Sequence, residues 1–301
     1  MLIAWRFFCS QQGKYRTLLW APLNLINPLQ QGRTLTAFDE ETTTIPLPLE
    51  EGVFTGHLSA AWNIGENPNG GYLVSVAINA MKQIVPHPDP VSVTAHYLRP
   101  GTADKPCRIE VDVIRIGRSI STVRASLVQA DKARIEVLAA FSDLSVSAGV
   151  DTEISVAMPN MPPPEDCSTR TGSLQNLDLP IATRTDVRLH PELAIPGQAG
   201  RAEMAGWIKF CDHREVDVDC LFLFADAFPP SPLAYLGAVG WVPTLELTVN
   251  ILRRPAPGWI CAQFRTDELN QGRMIESGQL WDSHGLLVAE SRQLGLVQAT
   301  A

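Results

Sequence analysis

The six cysteines of this 301-residue chain form no C-x-x-C pair, and no histidine stands where it would complete a zinc set. That removes the common structural metal frameworks and leaves free thiols in a reducing compartment as the simplest reading, with no metal and no cofactor expected and the cytoplasm as the expected location. Basic clusters are missing too. Lysine and arginine are scattered, the formal charge is −8 and the pI is near 5.3, so no positive field is available for nucleic acid or an anionic membrane. Long hydrophobic runs are likewise absent. The apolar start "MLIAWRFFCS" is broken by Arg6, is too short to span a bilayer and lacks the cleavage site of a secretory signal, so residues 1–37 are read as an appendage, with folded sequence beginning near Phe38.

What remains is an ordinary globular composition, 45% hydrophobic and 19% charged, sufficient for one large or two small domains acting on a small molecule. The chain repeats itself. "VSVTAHYLRPG" (91–101) and "LELTVNILRRPAPG" (245–258) both alternate apolar with polar residues and stop at Arg-Pro. Each is followed by a stretch that reads as three period-two strands, and each is preceded by an apolar segment too long for a strand, 70–85 in the first half and 218–236 in the second. Each half is therefore expected to be one helix lying on an antiparallel meander, led by a short strand around 57–63 or 201–210, and the two sheets can join edge to edge. The stretch 149–199, with "MPNMPPPEDCSTRTGS", is Pro-rich and irregular and reads as a linker. The resulting division is 1–37, 38–148, 149–199 and 200–301.

Two features point to chemistry. In "NPNGGYLVSVAINAMKQIV" a Pro and two glycines precede a helix with no acid at its start. Its N–H groups, reached past Gly70 and Gly71, could hold an anion such as a developing oxyanion, or the glycines could serve only a tight turn. In "CLFLFADAFPP" Asp226 is an acid among apolar neighbours, either a functional carboxylate or one satisfied by backbone donors near a helix end.

The segments "NGGY", "HYLRPG", "FADAF", "TLELTV…RRP" and "LVAESRQLG", in this order and spacing, resemble the acyl-CoA thioesterase II family over roughly 38–297. The resemblance implies an α+β double hotdog fold, two helix-on-sheet repeats sharing one continuous sheet, that can pair again as a homo-oligomer. It also implies hydrolysis of an acyl-CoA or related acyl thioester by a water held between a carboxylate, a hydroxyl and a glutamine. Those positions fall on Asp226, Thr244 and Gln293; the match at Thr244 needs one extra residue in "ILRRP", and Thr248 is the alternative if the register slips. Gly70, Gly71 and Tyr72 would then polarise the thioester carbonyl through the N–H of Gly71 or Tyr72. A thioester hydrolase needs these types: a base for the attacking water and donors for the oxyanion.

The first helix has no carboxylate matching Asp226, so one site per chain is expected. A hotdog hydratase would need a histidine close after the aspartate, and the "AFPPSPLAYLG" that follows Asp226 has none. A cyclase or isomerase on carrier-bound thioesters and a non-catalytic acyl-binding module stay open. Coenzyme A is expected to be held loosely, since Arg99, Arg115, Arg118, Arg253 and Arg254 merely flank strand ends.

Overall fold

The computed structural model describes residues 35–147, 149–150 and 152–298, so the expected appendage 1–37 lies almost wholly outside the described residues. Helix α1 (Ala37–Thr42) opens the fold and buries Phe38 against Trp62 and Phe210. The first half then contributes β1 (Ile45–Pro46), β2 (Val53–Leu58), the two-residue pair β3 (Asn63–Ile64) and β4 (Asn67–Pro68), and helix α2 (Gly70–Lys82). Strands β5 (Asp89–Tyr97), β6 (Lys105–Ile116), β7 (Ser121–Gln129) and β8 (Lys132–Ser142) complete it. Further along come β9 (Ser168–Thr169), β10 (Thr185–Leu189) and β11 (Glu203–Phe210), followed by helices α3 (Leu221–Phe224) and α4 (Pro232–Leu236). The last four strands are β12 (Thr244–Ile251), β13 (Ile260–Asn270), β14 (Arg273–Trp281) and β15 (Leu287–Leu296).

Thirteen strands form one antiparallel sheet in the order β1-β2-β6-β7-β8-β5-β12-β15-β14-β13-β11-β10-β9. The order β2-β6-β7-β8-β5 is mirrored by β11-β13-β14-β15-β12, and the halves meet where β5 pairs with β12, Thr94 opposite Thr248 and Val93 opposite Val249. This is the edge-to-edge junction expected from the repeat. On the long strands one alternating set of residues is buried, as in Ser121, Val123, Ala125 and Leu127 of β7, where α2 lies over that face. The helix carries Leu73, Val76, Ala77, Ile78, Ala80 and Met81 and only a narrow polar stripe of Ser75, Asn79 and Lys82, because the sheet and α3 cover most of it.

The second half departs from expectation in two places. Its apolar segment is not one helix: α3 ends at Phe224 and α4 begins at Pro232, because Pro229 and Pro230 lack N–H donors and bias the residue before them away from helical geometry. The stretch 149–199 is not linker throughout, since β9 and β10 extend the sheet. "TDVRL" alternates buried Thr185, Val187 and Leu189 with half-exposed Asp186 and Arg188, and β10 pairs along β11 from Thr185 opposite Phe210 to Leu189 opposite Gly206.

Candidate active site

The bare start of α2 receives its acid from the other half of the chain. Asn69 caps the helix, its side-chain oxygen accepting from the Tyr72 N–H at 2.9 Å. The Asn69 side-chain amide turns the other way and donates to the Asp226 backbone carbonyl at 2.7 Å and to Asp226 Oδ2 at 2.9 Å. Gly71 N–H donates to the same Oδ2 at 3.0 Å. An anion at this helix N-terminus, which carries no acid of its own, meets both a donor that the Asn69 cap leaves free and the positive end of the helix dipole.

The glycines make this approach close. A Cβ on Gly71 would overlap the Phe222 carbonyl oxygen and lie 2.8 Å from Leu223 Cα, so α2 and α3 can touch only because position 71 has no side chain. A Cβ on Gly70 would lie 2.8 Å from the Tyr97 ring and 2.9 Å from Asp226 Oδ2, which puts tyrosine and carboxylate side by side. Gly71→Ala is therefore expected to destabilise the fold by ~1–3 kcal/mol, as overpacking of a closed contact does, and to lower activity by lifting Asp226 off the helix end. Thermal melting and activity per folded molecule read the two effects separately.

This arrangement corrects one expectation. The N–H groups of Gly71 and Tyr72 are engaged, by Asp226 and Asn69, so neither is free to polarise a substrate carbonyl. The Tyr72 side chain is also remote from such a role, as its buried hydroxyl donates to the Glu41 carbonyl and accepts from Ser59 N–H.

A cavity of about 270 Å³ opens beside Asp226 and brings Thr244 and Gln293 to the same wall. Gln293, buried on β15, donates from its amide to Thr244 Oγ1. Strand β12 carries a bulge here: Thr244 pairs with Gly295 and Glu246 with Leu294, leaving Leu245 as an extra residue. The bulge shifts the alternation and turns Thr244 to the cavity side. Thr248 faces away, its hydroxyl sharing a hydrogen with that of Thr94 at 2.9 Å. His96 is an exposed partner of Glu246.

Four further groups in the cavity wall are not among the site residues expected from the sequence. Tyr97 has a buried hydroxyl with no hydrogen-bond partner among the described residues. Glu276, buried on β14, accepts from Ser231 N–H at 2.7 Å. Arg170 and Gln175 come from the stretch read as linker: the buried guanidinium donates to the Ala227 carbonyl and to Gln175 Oε1, the latter at 3.1 Å. Glu276 does carry a sequence signal, since it falls in the buried phase of "RMIESGQLW" with Met274, Gly278 and Leu280. Leu98, Trp241 and Leu245 are exposed at the rim beside Arg99. Arg253 and Arg254 are paired elsewhere, with Glu153 and Asp89.

Burial sets the protonation of the site. It pushes Asp226 up to about 6, against the pull of the Gly71 and Gly70 N–H groups, Arg170 and Asn69. Burial raises Glu276 to about 6 as well, opposed by Ser231 and reinforced by the charge of Asp226. Tyr97 is held well above the usual tyrosine value by burial and by the charges of Asp226 and Glu246, and so stays protonated. Burial lowers Arg170 to about 10, with Asp226 opposing, which leaves it a cation at neutral pH. A carboxylate with a value near 6, beside a hydroxyl, an amide and an unpartnered phenol, suits water activation at a carbonyl.

The sequence and the architecture are both similar to those of known proteins. Residues 58–142 match the family description "Acyl-CoA thioesterase N-terminal domain" and residues 156–297 match "Acyl-CoA thioesterase C-terminal domain". The chain is 25% identical over 256 residues to "Acyl-CoA thioesterase 2" of Haemophilus influenzae, covering 76% of this chain and 87% of that protein. A solved structure from Thermobifida fusca, provisionally assigned as a thioesterase II, superposes with a TM-score of 0.77 at 26% identity, over 88% of this chain and 98% of that one. A protein of unknown function with a hot dog fold from Alicyclobacillus acidocaldarius superposes with a TM-score of 0.76 at 22% identity, over 89% and 100% of the two chains. The fold is a double hotdog.

Proposed function

This chain belongs to the acyl-CoA thioesterase family, and we propose that it hydrolyses an acyl thioester with Asp226 as general base for a water aligned by Thr244 and Gln293. Oδ2 of Asp226 accepts the hydrogen bonds of Asn69 and Gly71, so Oδ1 is the oxygen that takes the proton. The water oxygen bonds to the carbonyl carbon as its proton passes to Asp226. The Tyr97 hydroxyl donates to the oxyanion that forms, in place of the backbone donors already engaged. Collapse breaks the C–S bond, the sulfur leaves with the proton held on Asp226, and free acid and thiol result. The observation that carries this reading is one cavity shared by a carboxylate raised to about 6, the Thr244–Gln293 pair and an unpartnered phenol.

The acyl group would lie inward against Phe228, Phe264 and Met274, and the thiol arm would leave past Leu98, Arg99 and Trp241 at the rim. Steady-state release of free thiol from a panel of acyl-CoAs tests the proposal, and its absence across the panel would favour a non-catalytic acyl-binding module. In the same assay Thr244→Val and Gln293→Ala should lower turnover less than loss of Asp226 does. Their effects should be non-additive with Asp226→Asn, since groups that hold one water act as a unit.

A further inference from the structure

Glu276 is a buried acid in the wall whose carboxyl group the hydrolysis of a plain acyl chain does not use. On β14 the residues facing the helices are Met274, Glu276, Gly278 and Leu280, so a carboxyl group stands where the alternation otherwise places apolar or small residues. It is 6% exposed, and what surface it keeps faces the cavity. From behind it is fixed: Oε2 accepts from Ser231 N–H at 2.7 Å, the Ser231 and Thr266 hydroxyls share a hydrogen at 2.8 Å, and Thr266 is its cross-strand partner on β13. Among the described residues no cation pairs with it, and the groups acting on it are Ser231 and Asp226. A buried acceptor left facing hydrocarbon is costly, and binding sites with such groups discriminate strongly for ligands that satisfy them.

Its place relative to the reacting atoms follows from strand register. Glu276 pairs directly with Gln293, so it lies one strand beyond the Thr244–Gln293 bond on the same face of the sheet. Neighbouring strands are ~4.8 Å apart, and three covalent bonds of a chain span ~3.8 Å. An extended acyl chain leaving a carbonyl at Gln293 therefore passes Glu276 at about its third to fifth carbon. The remaining walls there, Phe228, Phe264 and Met274, are apolar, and the cavity of about 270 Å³ is small for an acyl site.

We propose that the preferred acyl group is short and carries a hydroxyl on its third to fifth carbon, which donates to Glu276. This rests on the thioesterase reading above. A carboxylate at that position would meet Glu276 and Asp226 and is disfavoured; a second cation would meet Arg170 in the same wall. A neutral donor satisfies Glu276 without either conflict. Arg170 is committed to the Ala227 carbonyl and Gln175, so it holds the wall together rather than waiting for an anion.

The test compares CoA thioesters of one chain length with the full chain: hexanoyl, 3-, 4- and 5-hydroxyhexanoyl, and a six-carbon acyl group ending in carboxylate. At least one hydroxylated substrate should exceed hexanoyl-CoA in kcat/KM by on the order of 10- to 100-fold. Glu276→Leu should erase that preference by improving hexanoyl-CoA and impairing the hydroxylated substrate. Glu276→Gln, which keeps size and hydrogen bonding, should retain part of it and serves if the leucine variant folds poorly. Hexanoyl-CoA hydrolysed as well as every hydroxylated substrate by wild type would overturn the inference while leaving the thioesterase reading in place. Preference for the carboxylated substrate, or a hydroxyl preference that survives in Glu276→Leu, would also overturn it. Failure to hydrolyse any member of the panel would remove the thioesterase reading, and this inference with it.

Discussion

Asp226→Asn is expected to lower turnover by ~10²–10⁴-fold while melting at a higher temperature than wild type at pH 8. The two halves of this result have one cause. Burial raises the Asp226 carboxyl from 3.8 to about 6, so the folded protein ionises it less readily than the unfolded chain does. Stability from this group is complete below 3.8 and is lost as pH rises through 6, where the fold must carry a desolvated charge. Asparagine keeps the shape and can still accept from Asn69 and Gly71, but it carries no charge and takes no proton. Holding the carboxyl at about 6 rather than 3.8 corresponds to at most ~3 kcal/mol, and the opening of the carboxylate to the cavity reduces that to on the order of 1–2 kcal/mol. The gain in melting temperature should shrink as pH falls and vanish below about 4. Wild-type kcat/KM should itself fall as pH drops through about 6, because the base must be ionised. Unchanged turnover in folded Asp226→Asn would sink the base role. A lower melting temperature at pH 8 would show that attraction to the α2 terminus outweighs the cost of burial.

What the sequence could and could not say about this site has a physical pattern. The repeat was legible because period-two alternation and the Arg-Pro stops are local, and they survive in each half whatever the other does. Asp226 was legible for a related reason: a lone acid in "CLFLFADAFPP" is anomalous within its own neighbourhood. The glycines ahead of α2 were visible as a feature, but their purpose was not. Whether their N–H groups are free or occupied depends on a residue 155 positions away, and the structure shows Gly71 held by Asp226. The bulge at Leu245 is similarly non-local, since it arises from the register of β12 against β15. Arg170 was hidden in a Pro-rich stretch with no periodicity to mark it. The break in the second helix does have a local mark, Pro229 and Pro230, whose missing N–H donors outweigh the apolar length of the segment.

Tyr97→Phe is the second substitution with a large expected effect, and it separates catalysis from packing more cleanly than any change at Asp226. The ring of Tyr97 fills the space that Gly70 leaves beside Asp226, and phenylalanine fills it equally well. Only the hydroxyl is lost, and among the described residues that hydroxyl has no protein partner. A purely structural tyrosine in this position would therefore be improved by the change, since an unsatisfied buried polar group is removed. If the hydroxyl instead donates to the oxyanion, kcat should fall by ~10²–10³-fold, the usual cost of one preorganised donor, with KM little altered because the bond strengthens only as charge develops. Protonation does not complicate the reading: burial and the charges of Asp226 and Glu246 hold the phenol well above its ordinary value, so it remains a donor across the assay range. Full kcat in a Tyr97→Phe protein of equal or higher melting temperature would assign the ring to packing and place the oxyanion elsewhere. A large loss of kcat at undiminished stability has no structural explanation, because the substitution leaves every contact of the folded enzyme intact except one that forms during the reaction.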